Sequence, residues 1–198
     1  MPGKKSQRRE NECGVVVGMK NTGKSTFLAE YARGYAKRTG KRVLIVDVNG
    51  APAYAEFPKL SLTAFNTWNG DSSIRIAKIY ESDLKVLFGS IAQRFRNGLL
   101  IIEDCTKYID ATPSREIKSI LVDHRMWNVD PLFTFHAVSS IPPFFLKMIN
   151  FVVLKKTLEN FPPGAQYRYP FWNVLQKALA ELAKEKDRYT YRIIQTGL

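Results

Sequence analysis

Apolar positions along the chain fall into short continuous runs separated by amphipathic stretches, the alternation expected of buried strands joined by covering helices. The first run, Val15 to Val17, is β-branched and leads directly into a glycine-bearing turn. Behind that turn Phe27, Leu28, Tyr31 and Tyr35 recur at helical spacing. RVLIVDV, residues 42 to 48, predicts a second strand, closed by Asp47 and the turn signal NGAP. Residues 49 to 81 are irregular, with LTAFNTW and IRIAKIY as short strands. Ser82 then opens a helix carrying Leu84, Leu87, Ile91 and Phe95 on one face, and Asn97-Gly98 ends it. LLIIED, residues 99 to 104, has four apolar residues followed by two acids, the pattern of a central parallel strand whose C-terminal end faces solvent. Thr112-Pro113 caps a helix through Trp127, and PLFTFHAV and FVVLKK are further strands. PFWNVLQKALAELAKEK predicts a helix packing through Trp172, Leu175, Leu179 and Leu182, and YTYRII alternates as a closing edge strand. This order predicts an α/β fold, a mostly parallel sheet sandwiched between helices, with a C-terminal helix and edge strand.

Composition changes that picture little, and charge changes it more. At 198 residues, 45% hydrophobic and 12% aromatic, the chain suits one domain, residues 13 to 198, preceded by a flexible basic tail, residues 1 to 12. A formal charge of +12 favours a polyanionic partner, nucleic acid before an anionic membrane. IPPFFLKMINFVVL is the most apolar later stretch, but Pro142, Pro143, Lys147 and Asn150 interrupt it, so no membrane span is expected. Cys13 and Cys105 are the only cysteines, which argues against a disulfide framework and for a reducing compartment.

The candidate chemistry lies at two strand ends. GMKNTGKST, residues 18 to 26, is a glycine-rich loop between a strand and a helix, built to hold the polyphosphate of ATP through Gly18, Asn21, Thr22, Gly23, Lys24, Ser25 and Thr26. Lys24 would reach the β- and γ-phosphates, and the Ser25 hydroxyl would sit on Mg²⁺. Hydrolysis also needs a carboxylate on the metal side and a second that orients the attacking water, and Glu103 and Asp104 stand where both are wanted. Two solvated acids ending a strand is the weaker alternative.

GMKNTGKST, LLIIED and HRMWNVDPLFTFH, with an arginine eleven residues before a polar residue ending the next strand, together resemble the FtsK-HerA class of P-loop ATPases across residues 13 to 156. That class includes DNA pumps, conjugative coupling proteins, viral genome-packaging ATPases and the Zot-like proteins of filamentous phages. The resemblance implies a P-loop NTPase fold of the ASCE type. It makes Lys24 and Ser25 the phosphate and Mg²⁺ ligands, Glu103 and Asp104 the metal-binding and base pair, Arg125 an arginine finger acting on a neighbouring subunit, and His136 the polar sensor. Two departures stand out. The class ends its strand Asp-Glu whereas this chain has Glu103-Asp104, so the two roles are open to exchange. The usual sensor is glutamine, and histidine brings a charge that varies near neutral pH.

A short basic chain filled by its ATPase domain most resembles a viral packaging ATPase. The expectation is a ring homo-oligomer that hydrolyses ATP to move DNA, without regard to sequence, into a preformed capsid in the host cytoplasm, docking on a capsid vertex or portal-like protein. A Zot-like phage assembly ATPase and a nucleotide kinase are the alternatives. A kinase would need an arginine-rich lid, and only scattered arginines lie between Arg115 and Arg168. No Asn-Lys-x-Asp segment for guanine is present, and the paired acids argue against a protein that uses ATP only to fix its shape. Arg75, Lys78 and Lys107 could face a channel, while Arg33, Lys37, Arg38, Lys41 and Arg42 are expected to be mostly solvated.

Overall fold

The computed structural model describes residues 11–69, 72–109, 112–159, 161 and 163–197. Eight strands form one sheet: β1 (Gly14–Val17), β2 (Arg42–Val46), β3 (Lys59–Leu60), β4 (Ile76–Ile79), β5 (Gly98–Ile102), β6 (Val129–Phe135), β7 (Phe151–Lys155) and β8 (Tyr191–Gln195). Their order is β3-β4-β2-β5-β6-β1-β7-β8. All pairings are parallel except that of β7 with β8. Seven strands therefore end on one edge of the sheet, and parallel α/β sheets gather their functional loops on that edge. β6 separates β1 from β5, which sets the glycine loop after β1 and the two acids after β5 one strand apart.

The period-2 alternation of each strand decides which layer each side chain joins. Val16, Val43, Ile45, Leu99, Ile101, Leu132 and Val153 face Leu28, Ala29, Ala32 and Tyr35 of α1 (Lys24–Thr39). Their neighbours Val15, Val17, Leu44, Val46, Leu100, Ile102 and Phe133 face the opposite layer. That layer draws on Leu87, Phe88 and Ile91 of α3 (Leu84–Arg94), Ile117, Ile120 and Leu121 of α4 (Arg115–Asp123), and Leu175, Ala178 and Leu182 of α6 (Trp172–Lys184). The sheet is thus covered on both faces, as its uninterrupted apolar strands require.

Several local expectations are corrected. LTAFNTW is not a strand: Leu62–Thr67 is a short helix, α2, because the Ser61 hydroxyl caps it by accepting from Ala64 N (3.1 Å) and Phe65 and Trp68 turn inward three residues apart. Asp83 rather than Ser82 caps α3, accepting from Val86 N. Ser114 caps α4, which ends at Asp123, before Trp127. β6 begins at Val129 and includes Pro131, whose missing N–H is tolerated because β1 pairs with β6 only from Leu132 onward. The interrupted apolar stretch becomes α5 (Pro143–Leu146) followed by β7. Among the described residues no helix is long and apolar enough to cross a membrane.

Arg42 is not a solvated charge. Its guanidinium lies over the rings of Trp68 (4.8 Å) and Phe95 (5.6 Å) and donates to the carbonyls of Trp68 and Arg96. Arg33 is exposed and pairs with Glu56. Residues 1 to 10 of the expected tail lie outside the described residues, whereas Glu12 N donates to Asp130 Oδ1 (3.0 Å).

Candidate functional site

The loop after β1 is fixed at both sides before it curls. Gly18 N donates to Phe135 O on β6 (3.2 Å) and Met19 N to Lys156 O beyond β7 (2.9 Å). A Cβ on Gly18 would stand 2.7 Å from Thr22 Oγ1 and 2.8 Å from Lys155 Cβ, so only glycine fits. Asn21 (φ 63°) and Gly23 (φ 73°) take left-handed backbone, which turns the chain back on itself, and buried Thr22 closes the turn by donating to Met19 O (2.8 Å). α1 then begins at Lys24 with no side-chain cap and no acid in its first turn. Its leading N–H groups therefore have no side-chain acceptor of their own, and the positive helix end faces the loop, an arrangement suited to an anion. Lys24 Nζ donates to Gly18 O (2.6 Å) and Met19 O (3.0 Å). Burial lowers the Lys24 pKa, against the opposing charges of Glu103 and Asp104 across the cleft.

The two acids part company at the end of β5. Glu103 is buried, and its carboxylate accepts from the hydroxyls of Tyr54 and Thr134, the latter at 2.9 Å. Tyr54 lies on a 3₁₀ turn at Pro52–Tyr54, with Ser25 beside it. Burial and the Glu103 charge push the Tyr54 pKa well above that of a free phenol, so it stays a donor. Asp104 takes left-handed backbone (φ 54°), which swings its carboxylate toward the same cleft, and its N–H donates to Thr134 Oγ1 (2.6 Å). Its oxygens meet Asn49 Nδ2 (2.9 Å), Lys107 Nζ (2.9 Å) and His136 Nε2 (2.8 Å). Burial alone would raise the Asp104 pKa, but hydrogen bonds from Asn49 and Lys107 and the charges of His136 and Lys107 outweigh it, and the net shift is downward.

His136 follows β6, and its Nδ1 lies 3.5 Å from Lys24 Nζ while Nε2 faces Asp104. The ring therefore spans the cleft between the two charged walls. Lys20, Asn21, Lys24 and Ser25 on one side and Asn49, Glu103, Asp104, Lys107, Thr134 and His136 on the other enclose about 320 Å³.

Of the residues expected at the site, the loop residues, Glu103, Asp104 and His136 come together here, and Thr26, exposed on the first turn of α1, borders the loop. Arg125 does not join them. It is exposed in the turn before β6, on the edge where the parallel strands begin, and its carbonyl lies against Asn11 Nδ2 (3.4 Å). Tyr54, Asn49 and Thr134 were not legible as site residues. The first two lie in the irregular segment after β2, and Thr134 is one of several residues in an apolar run. Only the sheet order brings them to the acids.

Ser25 and Glu103 both line this cleft and are the residues that could hold a divalent cation there. Among the described residues no group of three or more His, Cys, Asp or Glu forms a closed cage.

No family model matches this sequence, and neither does any curated protein sequence. Solved structures do match. The genome packaging NTPase B204 from Sulfolobus turreted icosahedral virus 2, in complex with AMPPCP, superposes with a TM-score of 0.72 at 18% identity over 94% of this chain and 93% of that one. Its complex with ATPγS gives 0.70 at 17% identity over 94% and 92%. B204, the DNA-packaging ATPase from Sulfolobus Turreted Icosahedral Virus, gives 0.70 at 15% over 96% and 95%. The fold is that of a P-loop NTPase. In that fold the Gly18–Thr26 turn follows β1, and the strand between β1 and the acid-bearing strand is β6, which His136 follows.

Proposed function

We propose that this protein is an ATPase whose hydrolysis drives sequence-independent DNA movement, as the packaging motor of a viral genome. The observation that carries the chemistry is the opposition, across one cleft, of the P-loop Lys24 and Ser25 to a carboxylate pair whose two members are held in different ways. Glu103, held by Tyr54 and Thr134, would serve the metal side. A Mg²⁺ ion bound there with ATP would neutralise charge developing on the phosphates. Asp104, beside Lys107 and His136 in the same cleft, would orient the attacking water. His136 would donate from its ring to the transferred phosphoryl group once Asp104 engages water. These roles follow the chain's Glu-Asp order and invert the usual one.

The motor half of the reading rests on coarser support. B204, whose fold this chain shares, is a genome-packaging NTPase in both viruses. The formal charge of +12 suits a partner with a phosphate backbone. Arg125 is assigned as a finger acting in trans: its guanidinium makes no ion pair among the described residues and lies far from its own cleft. A ring in which the strand-start edge of one subunit meets the cleft of the next would bring it to a phosphate, through heterologous contacts that close. Docking on a capsid vertex or portal-like protein within the host cytoplasm completes the proposal.

The test is ATP turnover with and without DNA over a range of protein concentration. Stimulation by DNA of any sequence, with specific activity rising with protein concentration, is expected. Turnover indifferent to both would remove the motor and the shared site while leaving the nucleotide site.

A further inference from the structure

The cleft that holds the acids accounts for only one end of a nucleotide. Lys24 and Ser25 serve the β- and γ-phosphates and the metal, so the terminal phosphate points toward Glu103, Asp104 and His136, and the α-phosphate with its nucleoside must leave in the other direction, past the first turn of α1. On that side the described surface is aromatic. Tyr189, in the turn between α6 and β8, is 59% exposed, and its ring lies directly on the P-loop: a Cβ on Gly23 would stand 2.9 Å from Tyr189 Cδ1 and 3.4 Å from Cε1. Next to it Tyr191, 43% exposed, packs edge-on to Phe27 of α1 with centroids 5.1 Å apart.

The turn that presents Tyr189 is tied down. Lys155, a lysine only 2% exposed, donates to Tyr189 O (3.0 Å), and Tyr189 N donates to Asp187 Oδ1 (2.9 Å). A buried lysine is costly to place, and here its ammonium donates to the Tyr189 backbone and lies over the rings of Phe27 (5.6 Å) and Tyr191 (5.4 Å). Holding that backbone while leaving the ring open to solvent is the arrangement of a platform rather than of a core residue.

We propose that Tyr189 is the platform on which the base of the bound nucleotide stacks, with Tyr191 and Phe27 extending the apolar surface beside it. This rests on the reading of the P-loop as an ATP site. A different candidate, the apolar groove lined by Met19, Leu158, Leu179 and Leu182, lies behind the first half of the loop, away from the path that the phosphate order sets.

Binding of ATP and of inorganic tripolyphosphate, each with Mg²⁺, should be compared for the wild-type chain, Tyr189→Ala, Tyr189→Phe, Leu158→Ala and Lys24→Ala. Losing a stacked base contact should weaken ATP binding by roughly ten- to a hundredfold in Tyr189→Ala. Tripolyphosphate binding should be unchanged in that variant, and Tyr189→Phe should bind ATP as the wild type does. Leu158→Ala should bind both ligands normally. Equal ATP affinity in Tyr189→Ala and wild type, or equal loss of both ligands, or a loss of ATP in Leu158→Ala instead, would overturn the platform. Lys24→Ala reports on the underlying site: undiminished binding of both ligands there would overturn the P-loop reading itself, whatever Tyr189 does.

Discussion

At the scale of single residues, the site is organised by hydroxyls that hold carboxylates. Thr134, fully buried, donates to Glu103 and accepts from the Asp104 N–H, so one side chain fixes both acids. Tyr54 holds the other Glu103 oxygen. Tyr54→Phe keeps the ring in its packing and removes only this link. We expect kcat for ATP to fall about ten- to a hundredfold, the usual cost of losing an outer partner of a metal-side ligand, with the far-UV spectrum and melting behaviour near wild type. Unchanged kcat would mean that Glu103 needs no positioning. The two acids should also separate. Glu103→Gln should raise the Mg²⁺ concentration needed for half-maximal turnover, whereas Asp104→Asn should bind Mg²⁺ and ATP normally and release almost no phosphate. The reverse pattern, read in a Mg²⁺ titration of both variants, would exchange their roles.

At the scale of elements, the sheet order does what no local sequence can. β5, β6 and β1 lie side by side with their C-terminal ends level, and this register sets the acids opposite the P-loop. It depends on close approach at the far end of β5, where a Cβ on Gly98 would stand 2.4 Å from Arg42 O and 2.9 Å from Phe95 Cζ. Gly98→Ala should cost about 1–3 kcal/mol, the usual penalty of overpacking against a backbone that cannot yield. Gly34→Ala, in the middle of α1 with nothing within 4 Å of the added methyl, should instead stabilise by about 0.5–1 kcal/mol. Urea midpoints of the two variants check both signs, and a neutral Gly98→Ala would show that β2 and β5 are not packed as described.

The same scale explains what could be read in advance. β1, β2, β5 and β7 were legible because each is a continuous apolar run, and the P-loop because its glycines, lysine and serine are contiguous. LTAFNTW was misread because seven residues hold too little of either period to separate strand from helix, and the deciding signal was the Ser61 cap. Tyr54 and Asn49 are ordinary turn residues in sequence. Their place beside Glu103 and Asp104 follows from β2 pairing with β5, a contact across more than fifty residues.

At the scale of the whole molecule, the two ends of the sheet carry different halves of the proposed site: the cleft at the strand ends and Arg125 at the strand starts. On the proposed reading, one chain's site is complete only beside a neighbour. Arg125→Ala should bind ATP, keep its fold and lose turnover. Mixed with Lys24→Ala, it should recover part of the activity, because some junctions then join an intact P-loop to an intact arginine. A finger contributes on the order of 10³-fold or more, so a minority of repaired junctions would rise above background. No recovery at any mixing ratio, with subunit exchange demonstrated, would confine Arg125 to its own chain.

Beneath all of this lies the claim that the cleft between the P-loop and the β5 acids hydrolyses ATP. Phosphate release from ATP and Mg²⁺, measured side by side for the wild-type chain and Lys24→Ala, tests it most directly. Removing the ammonium leaves the charge of the transferred phosphoryl group without its nearest counter-charge. The account predicts measurable turnover in the wild type and none above background in the variant. Equal phosphate release from both would contradict it.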